Sequence, residues 1–165
     1  MILFNNWLTK EEMDTIQQTI KSPRWQFGHT STDTPTNGYL WVINIDTSED
    51  FYYIHLLDKI KKTTNEEFNV ERIYLNGNQN SSSGSIHKDN DVIDNAKTFL
   101  IYCNPDWDIE IGGHTHFIHN NEIISVPPIP GNAIYFDGTI DHFAAPLNPM
   151  YKGLRVTLAY KLIKQ

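Results

Sequence analysis

The chain of 165 residues contains a single cysteine, Cys103. No intrachain disulfide can therefore form, which agrees with a reducing compartment. The sequence also lacks an apolar run of the length that crosses a bilayer, and its N-terminus lacks the basic start of a signal peptide. Neither an internal repeat nor a heptad pattern is visible. These absences predict a soluble, cytoplasmic protein without a membrane partner.

Positive charge is scarce as well. The chain has 13 Lys and Arg against 20 Asp and Glu, a net charge of −7 with neutral histidines. Non-specific nucleic-acid binding needs a basic face, so we expect no nucleic-acid partner. The length suits one domain with a full hydrophobic core, and no linker divides it, so we expect a single domain over 1–165. Nothing in the sequence predicts the oligomeric state.

Helical signals are confined to the first part of the chain, about 8–62. Thr9 is a good N-cap, and Glu12 three residues later completes a capping box. Pro23 ends that first helix, because the residue before a proline disfavours the helical conformation. Thr47-Ser48 is expected to cap a second helix, whose apolar residues recur at helical spacing.

From residue 68 onward the pattern becomes that of strands. Two helices followed by about eight short strands predict a sandwich of two sheets with the helices packed on one sheet. The polar stretch 29–40 before this part has two interpretations, a lid over a site or an ordinary surface loop.

A histidine and a carboxylate stand two residues apart at His87 and Asp89. On an extended strand, such side chains point the same way, about 6–7 Å apart. His142 supplies a third ligand if the chain folds back. Two histidines and one carboxylate leave the opposite face of an octahedral ion open, the arrangement of non-haem Fe(II) oxygenases.

Another histidine cluster offers an alternative metal site. His114 and His116 alternate onto one face of a predicted strand, with His119 nearby, and could bind zinc. The simpler interpretation is the polar outer face of a strand. His55, in the second helix, is expected to be a packing or surface histidine.

An arginine stands in the middle of the last apolar strand. The alternation places Arg155, Thr157 and Ala159 on one face of that strand. A guanidinium there is costly unless it meets an anion, which Arg can bind in bidentate fashion and Thr157 can also contact. The residues leave two interpretations open: a carboxylate ligand, or an internal Asp or Glu.

Several separated segments then agree in order and spacing with one family. The chain resembles the 2-oxoglutarate- and Fe(II)-dependent dioxygenases, in particular the prolyl 4-hydroxylase-like branch, over about 72–160. The segments that match are His87-x-Asp89, Phe99 to Asn104, Gly112-Gly113-His114-Thr115-His116-Phe117, Pro130 to Phe136, His142 and Gly153-Leu154-Arg155-Val156-Thr157.

The resemblance implies a double-stranded β-helix, or jelly roll, with its core at about 68–162. It also implies a ferrous ion on His87, Asp89 and His142, with Arg155 binding the distal carboxylate of 2-oxoglutarate. The other cosubstrate would be O2, with ascorbate in support. Residues lining the cosubstrate pocket would be Tyr74, Tyr102 and Thr157.

The expected activity is hydroxylation of prolyl residues in a peptide or protein. One alternative is hydroxylation of a free amino acid or other small molecule, and another is a non-catalytic metal- or ligand-binding jelly roll that uses the His114 and His116 face. The chain departs from the family at two positions: His114 replaces a frequent acidic residue, and Arg155 stands where prolyl 4-hydroxylases proper often use lysine.

Overall fold

The computed structural model describes residues 1–30, 38–80, 83–93 and 95–165, which form two antiparallel sheets and a helical layer. The helical elements are α1 (Lys10–Ile20), a π-helical segment (Phe51–Leu56) that continues into α2 (Leu57–Thr64), and a 3-10 turn (Ile109–Ile111). The strands are β1 (Ile2–Phe4), β2 (Gln26–His29), β3 (Leu40–Asn44), β4 (Phe68–Asn78), β5 (Ala96–Tyr102), β6 (Thr115–His119), β7 (Glu122–Val126), β8 (Ala133–Asp137), β9 (His142–Ala144) and β10 (Arg155–Lys164).

The first helix begins as the sequence predicts. The hydroxyl of Thr9 accepts from the backbone N–H of Glu12, whose carboxylate accepts from the backbone N–H of Thr9, so the capping box is complete. The helix ends at Ile20, three residues before Pro23.

The predicted cap of the second helix is wrong. Ser48 instead uses its N–H and hydroxyl to bind the carboxylate of Asp46, in a local turn. The helical turn starts at Phe51 behind Asp50, which makes no side-chain capping hydrogen bond. Short polar residues favour both caps and turns, so composition alone did not separate the two roles.

The larger sheet has the order β1-β8-β5-β10-β4-β3-β2, and the smaller one β7-β6-β9. The long strand β10 is central and pairs with both β4 and β5. On one face of β10, Val156, Leu158 and Tyr160 are buried under the helices, in a core that also holds the thiol of Cys103. The opposite face, with Arg155 and every second residue after it, is turned toward the smaller sheet. The predicted two-sheet architecture with helices on one sheet is confirmed.

Two strands escaped prediction because they are short. Strand β1 pairs with β8 at the edge of the larger sheet, and β9 pairs with β6 in the smaller one, so the described residues form ten strands rather than about eight. The turn of Asn120 and Asn121 between β6 and β7 is present, with both residues at positive φ. Most of the proposed lid, 31–37, lies outside the described residues.

Within the described ranges, no helix combines the length and the apolar character needed to cross a bilayer.

The buried carboxylate of Glu12 supports a pH-dependent prediction about stability. It is 6% exposed and binds Lys59 Nζ at 2.5 Å and His55 Nε2 at 2.9 Å. Burial alone would raise the pKa of Glu12, but Lys59, the Thr9 N–H and His55 together hold it below its usual value. A depressed pKa stabilises the fold above the pKa of the unfolded carboxyl, and this contribution is lost as pH falls through the folded value.

We therefore expect Glu12→Gln to lower the free energy of unfolding by about 2 kcal/mol at pH 7. The gap between the variant and the unmodified protein should narrow between pH 7 and pH 3, because the unfolded carboxyl takes up its proton in this range while the depressed pKa of folded Glu12 disfavours protonation. Denaturant titrations at the two pH values measure it, with the exposed Glu67→Gln as a matched control. A difference in unfolding free energy of the same size at both pH values would contradict the stabilising role of the ionised Glu12 carboxylate.

Candidate metal centre

Two histidines face each other across a short stretch of backbone pairing. His142 opens β9, and His87 forms an isolated antiparallel bridge with it. The N–H of His87 donates to the carbonyl of His142 at 3.0 Å, and the reverse bond is 2.9 Å long. Reciprocal backbone bonds fix the separation of the two side chains, whose ring centroids are 4.3 Å apart. The chain thus folds back as the sequence analysis requires.

Each of these rings is oriented by a backbone carbonyl. The Nδ1 atom of His87 lies 2.8 Å from the Ser85 oxygen, and that of His142 lies 2.9 Å from the Ile140 oxygen. A carbonyl only accepts hydrogen bonds, so Nδ1 carries the proton in both rings and Nε2 keeps its lone pair. Burial lowers the pKa of His142 to about 4, although Asp89 opposes the shift, so that ring is neutral at pH 7.

The carboxylate of Asp89 divides its two oxygens between different partners. Oδ1 lies 3.5 Å from Nε2 of His87 and 3.6 Å from Nε2 of His142. Oδ2 accepts a 2.6 Å hydrogen bond from Thr98 and forms an ion pair with Lys161. Burial alone would raise the pKa of Asp89, but Lys161 and the two imidazoles hold it well below its usual range. One oxygen is therefore left for a metal ion.

The donor set fits a divalent transition metal. One ligand atom from each of His87, Asp89 and His142 lies within 4.8 Å of the others. Two imidazole nitrogens and one carboxylate oxygen suit non-haem Fe(II), and all three residues line the same cleft. Among the described residues, no other group of three such side chains is close enough to hold an ion, so the alternative zinc cluster is not formed there.

The guanidinium of Arg155 is buried in the same cleft, and the side chain is 4% exposed. Its Nε donates to the Gly113 carbonyl at 2.6 Å, and a terminal nitrogen donates to the Thr115 hydroxyl at 2.7 Å. Both acceptors are neutral, and no Asp or Glu among the described residues forms an ion pair with it. Burial accordingly lowers the pKa of Arg155. An internal carboxylate partner, one of the two interpretations above, is absent from the described residues.

Gly113 explains part of the Gly-Gly motif in physical terms. It has a φ of +75°, and a Cβ there would lie 2.7 Å from the Leu147 side chain and 3.0 Å from Cδ of Arg155. Any larger residue would therefore displace the arginine as well as strain the backbone. His114, the next residue, lies beside Trp107, with ring centroids 5.6 Å apart, and does not line the cleft.

The other predicted residues fall at different depths. Tyr74 and Thr157 line the cleft and are at most 7% exposed. Tyr102 does not line it. Its ring lies 5.6 Å from the Arg155 guanidinium, and its hydroxyl donates to Thr115 at 2.7 Å.

Sequence reasoning missed several residues that line the cleft, and two of them, Lys161 and Asn78, bear directly on the site. Lys161, 5% exposed, binds Asp89, and it continues the alternation that begins at Arg155. Asn78 is 1% exposed, and its Nδ2 has no hydrogen-bond partner among the described residues, although its Oδ1 lies 3.4 Å from Arg155. A buried amide donor without a partner is costly, which indicates a place for an acceptor.

No protein-family model matches the chain, and no curated protein matches its sequence. Solved structures do match. A prolyl hydroxylase from Trichoplax adhaerens, in complex with a hypoxia inducible factor oxygen degradation domain peptide fragment, has a TM-score of 0.76 at 18% identity, over 98% of this chain and 82% of that chain.

Two bacterial structures are similar to the same degree. A prolyl-4-hydroxylase from Pseudomonas putida has a TM-score of 0.74 at 14% identity, over 99% of this chain and 92% of that one. A 2OG-Fe(II) oxygenase family oxidoreductase from Burkholderia pseudomallei has a TM-score of 0.75 at 13% identity, over 98% and 84%. The chain therefore has the double-stranded β-helix fold of prolyl hydroxylases and other 2OG-Fe(II) oxygenases, which confirms the resemblance at the level of the fold.

Proposed function

We propose that the protein is an Fe(II)- and 2-oxoglutarate-dependent hydroxylase that acts on a prolyl residue of a peptide or protein. The observation that carries the proposal is the buried Arg155 guanidinium, which has no carboxylate partner among the described residues and shares a cleft with His87, Asp89 and His142. A dicarboxylate that binds a metal ion at one end and the Arg155 guanidinium at the other would supply the guanidinium with an anionic partner and the metal ion with further ligands.

In this proposal, His87 and His142 would hold Fe(II) through Nε2, and Asp89 would hold it through Oδ1. The chemistry supplied when iron is bound is the oxidation of 2-oxoglutarate by O2 to succinate and CO2, with the second oxygen atom inserted into a C–H bond of the substrate. Thr98 and Lys161 restrain Oδ2, so the Asp89 carboxylate presents one oxygen in a fixed orientation.

The far end of the cosubstrate is placed by Arg155 and its neighbours. The guanidinium binds the distal carboxylate, and the free Nδ2 of Asn78 donates to the same group. Thr157 lies two residues along the same strand face and Tyr74 on the neighbouring strand, where they line the path to the metal. Because these side chains would hold the cosubstrate in place, less entropy would be lost when the reactants reach the reactive geometry.

Prolyl specificity rests on the two prolyl hydroxylases among the structural neighbours, one of which was solved with a peptide. The test is incubation with Fe(II), ascorbate and 2-oxoglutarate, followed by measurement of succinate. Mass spectrometry of candidate prolyl peptides should then show a gain of one oxygen. An absence of succinate above the protein-free reaction would contradict the cosubstrate assignment, and succinate without any oxidised prolyl peptide would contradict the substrate.

The same assay tests the role of Arg155. We expect Arg155→Gln to raise the KM for 2-oxoglutarate by about fiftyfold, because a buried charge pair is lost. Arg24→Gln is a matched control, since the Arg24 guanidinium binds Glu49 on the surface at 2.7 Å. A thermal melt confirms that both variants are folded. An unchanged KM in folded Arg155→Gln would show that the cosubstrate is held elsewhere.

A further inference from the structure

The cleft is basic although the chain is acidic. Of the side chains that line it, Arg72, Lys88, Arg155 and Lys161 are cationic, and Asp89 is the one carboxylate among the described residues. The whole chain has a net charge of −7. Positive charge is therefore concentrated at this site, where it attracts anions.

The proposed cosubstrate does not neutralise this excess. In the proposed complex, one carboxylate of 2-oxoglutarate binds Fe(II) and the other binds Arg155, and Lys161 is paired with Asp89. Arg72 and Lys88, both exposed cations of the cleft, are then left without an opposite charge among the described residues that line it. Neither forms an ion pair with a described residue.

Arg72 is the better placed of these two cations. It is directly opposite Lys161 in the pairing of β4 with β10, so it lies at the metal end of the cleft. Its guanidinium carbon lies 5.0 Å from the ring centroid of Tyr74, and Lys161 Nζ lies 5.9 Å from the same centroid. The His29 ring, on β2 of the same sheet, has its centroid 5.6 Å from that of the Tyr74 ring. The Tyr74 ring thus carries a cluster of basic groups beside the triad.

The field of this cluster acts on His29. Burial first, and then the charges of Arg72 and Lys161, lower the pKa of His29. Burial disfavours a charge of either sign, but the charges of Arg72 and Lys161 make the potential at this point positive, which favours a bound anion. Contact with the Tyr74 face also keeps the Arg72 side chain on the wall of the cleft, so less of its freedom is lost on binding.

We propose that the substrate carries a carboxylate that binds Arg72 over the Tyr74 ring, next to the carbon to be oxidised. The inference rests on the proposed function and narrows its substrate class. Two sources have this chemistry: an acidic residue beside the target residue of a peptide, and the α-carboxylate of a free amino acid. A neutral collagen-like sequence has no such group and is disfavoured.

The anion site can be tested without turnover. Full-length protein loaded with Zn(II), which is diamagnetic, and with 2-oxoglutarate is titrated with propionate or with propionamide at millimolar concentrations. Propionate should give saturable NMR shifts of the Arg72 Nε–H and the Tyr74 ring, and propionamide should not. Arg72→Gln should remove the Tyr74 response. Lys62→Gln, which replaces a lysine on α2 that does not line the cleft, should retain it. Equal responses to both compounds, or no saturable shift with either, would overturn the proposal.

Paired substrates then separate the two sources. Acetylated, amidated peptides with Glu or Gln beside Pro, and free L-proline or its amide, are bound to the Fe(II) and 2-oxoglutarate complex without oxygen. The acidic member of one pair should bind about tenfold tighter than its neutral partner, and Arg72→Gln should abolish the difference. Equal affinities within both pairs would overturn the carboxylate requirement. Succinate formation is scored separately, so failure of the proposed function is distinguishable from failure of this inference.

Discussion

Replacement of His142 by alanine is expected to abolish succinate formation. It should also weaken Fe(II) or Zn(II) binding by more than about 100-fold, because the loss of a direct ligand costs more than the loss of an outer-shell partner. The ring supplies a neutral Nε2 that its Nδ1 bond to the Ile140 carbonyl fixes in place. Without it, two protein ligands remain. Metal affinity is measured by competition with a chelating dye, and succinate formation is measured by chromatography.

The matched control is His114→Ala, which removes a histidine of the rival cluster. We expect its metal affinity to stay within about threefold of the starting protein, because side-chain substitutions away from a site have small effects. His142 packs against Phe117 and Phe136, so the volume-conserving His142→Gln accompanies the alanine variant. Equal succinate formation by His142→Ala and the unmodified protein would contradict the role of His142 as a metal ligand. Loss of metal binding in His114→Ala would place the metal at the His114 cluster instead.

Replacement of Lys161 by methionine is expected to lower the free energy of unfolding of the metal-free protein by about 3–5 kcal/mol, because Asp89 is left as a buried charge without its partner. The loss should be smaller when a metal is bound, since the ion neutralises the same carboxylate. Metal binding should therefore stabilise Lys161→Met more than it stabilises the unmodified protein. Denaturant titrations with and without Zn(II) measure both quantities.

Lys161→Arg keeps the charge and should retain most of the stability, and Lys62→Gln controls for the loss of a surface lysine. An equal loss with and without metal would show that Lys161 acts through packing and not through the charge of Asp89. Weaker metal binding in Lys161→Met than in the unmodified protein would contradict the electrostatic argument directly, because removal of a nearby cation should favour a bound cation.

His87, Asp89 and Arg155 could be singled out from the sequence because each belongs to a local pattern. His87 and Asp89 share a two-residue spacing, and the alternation of β10 separates Arg155 from the apolar core. His142 needed more, since its approach depends on the pairing of β9 with β6, which local spacing does not encode. The roles of Lys161 and Asn78 depend on contacts between distant strands and became visible only in three dimensions.

The errors have related causes. Strand β1 has three residues, too few for a periodic signal, and it is held by its register with β8. The Thr47-Ser48 cap failed because the N–H and hydroxyl of Ser48 donate to the nearby Asp46 carboxylate, in a local turn before the helix. In both cases a tertiary or local hydrogen bond outweighed the intrinsic conformational preference of the residues.

The single thiol, that of Cys103, is buried in the core under the helices and can serve as a built-in probe of the protein's stability. Cys103 is 0% exposed, and burial raises its pKa to about 12, so alkylating reagents cannot reach a thiolate in the native state. Labelling should occur only from opened molecules, at a rate set by the opening equilibrium. Thiol-reactive mass tagging would thus rank substitutions such as Glu12→Gln in dilute cell extracts, where optical denaturation is impractical.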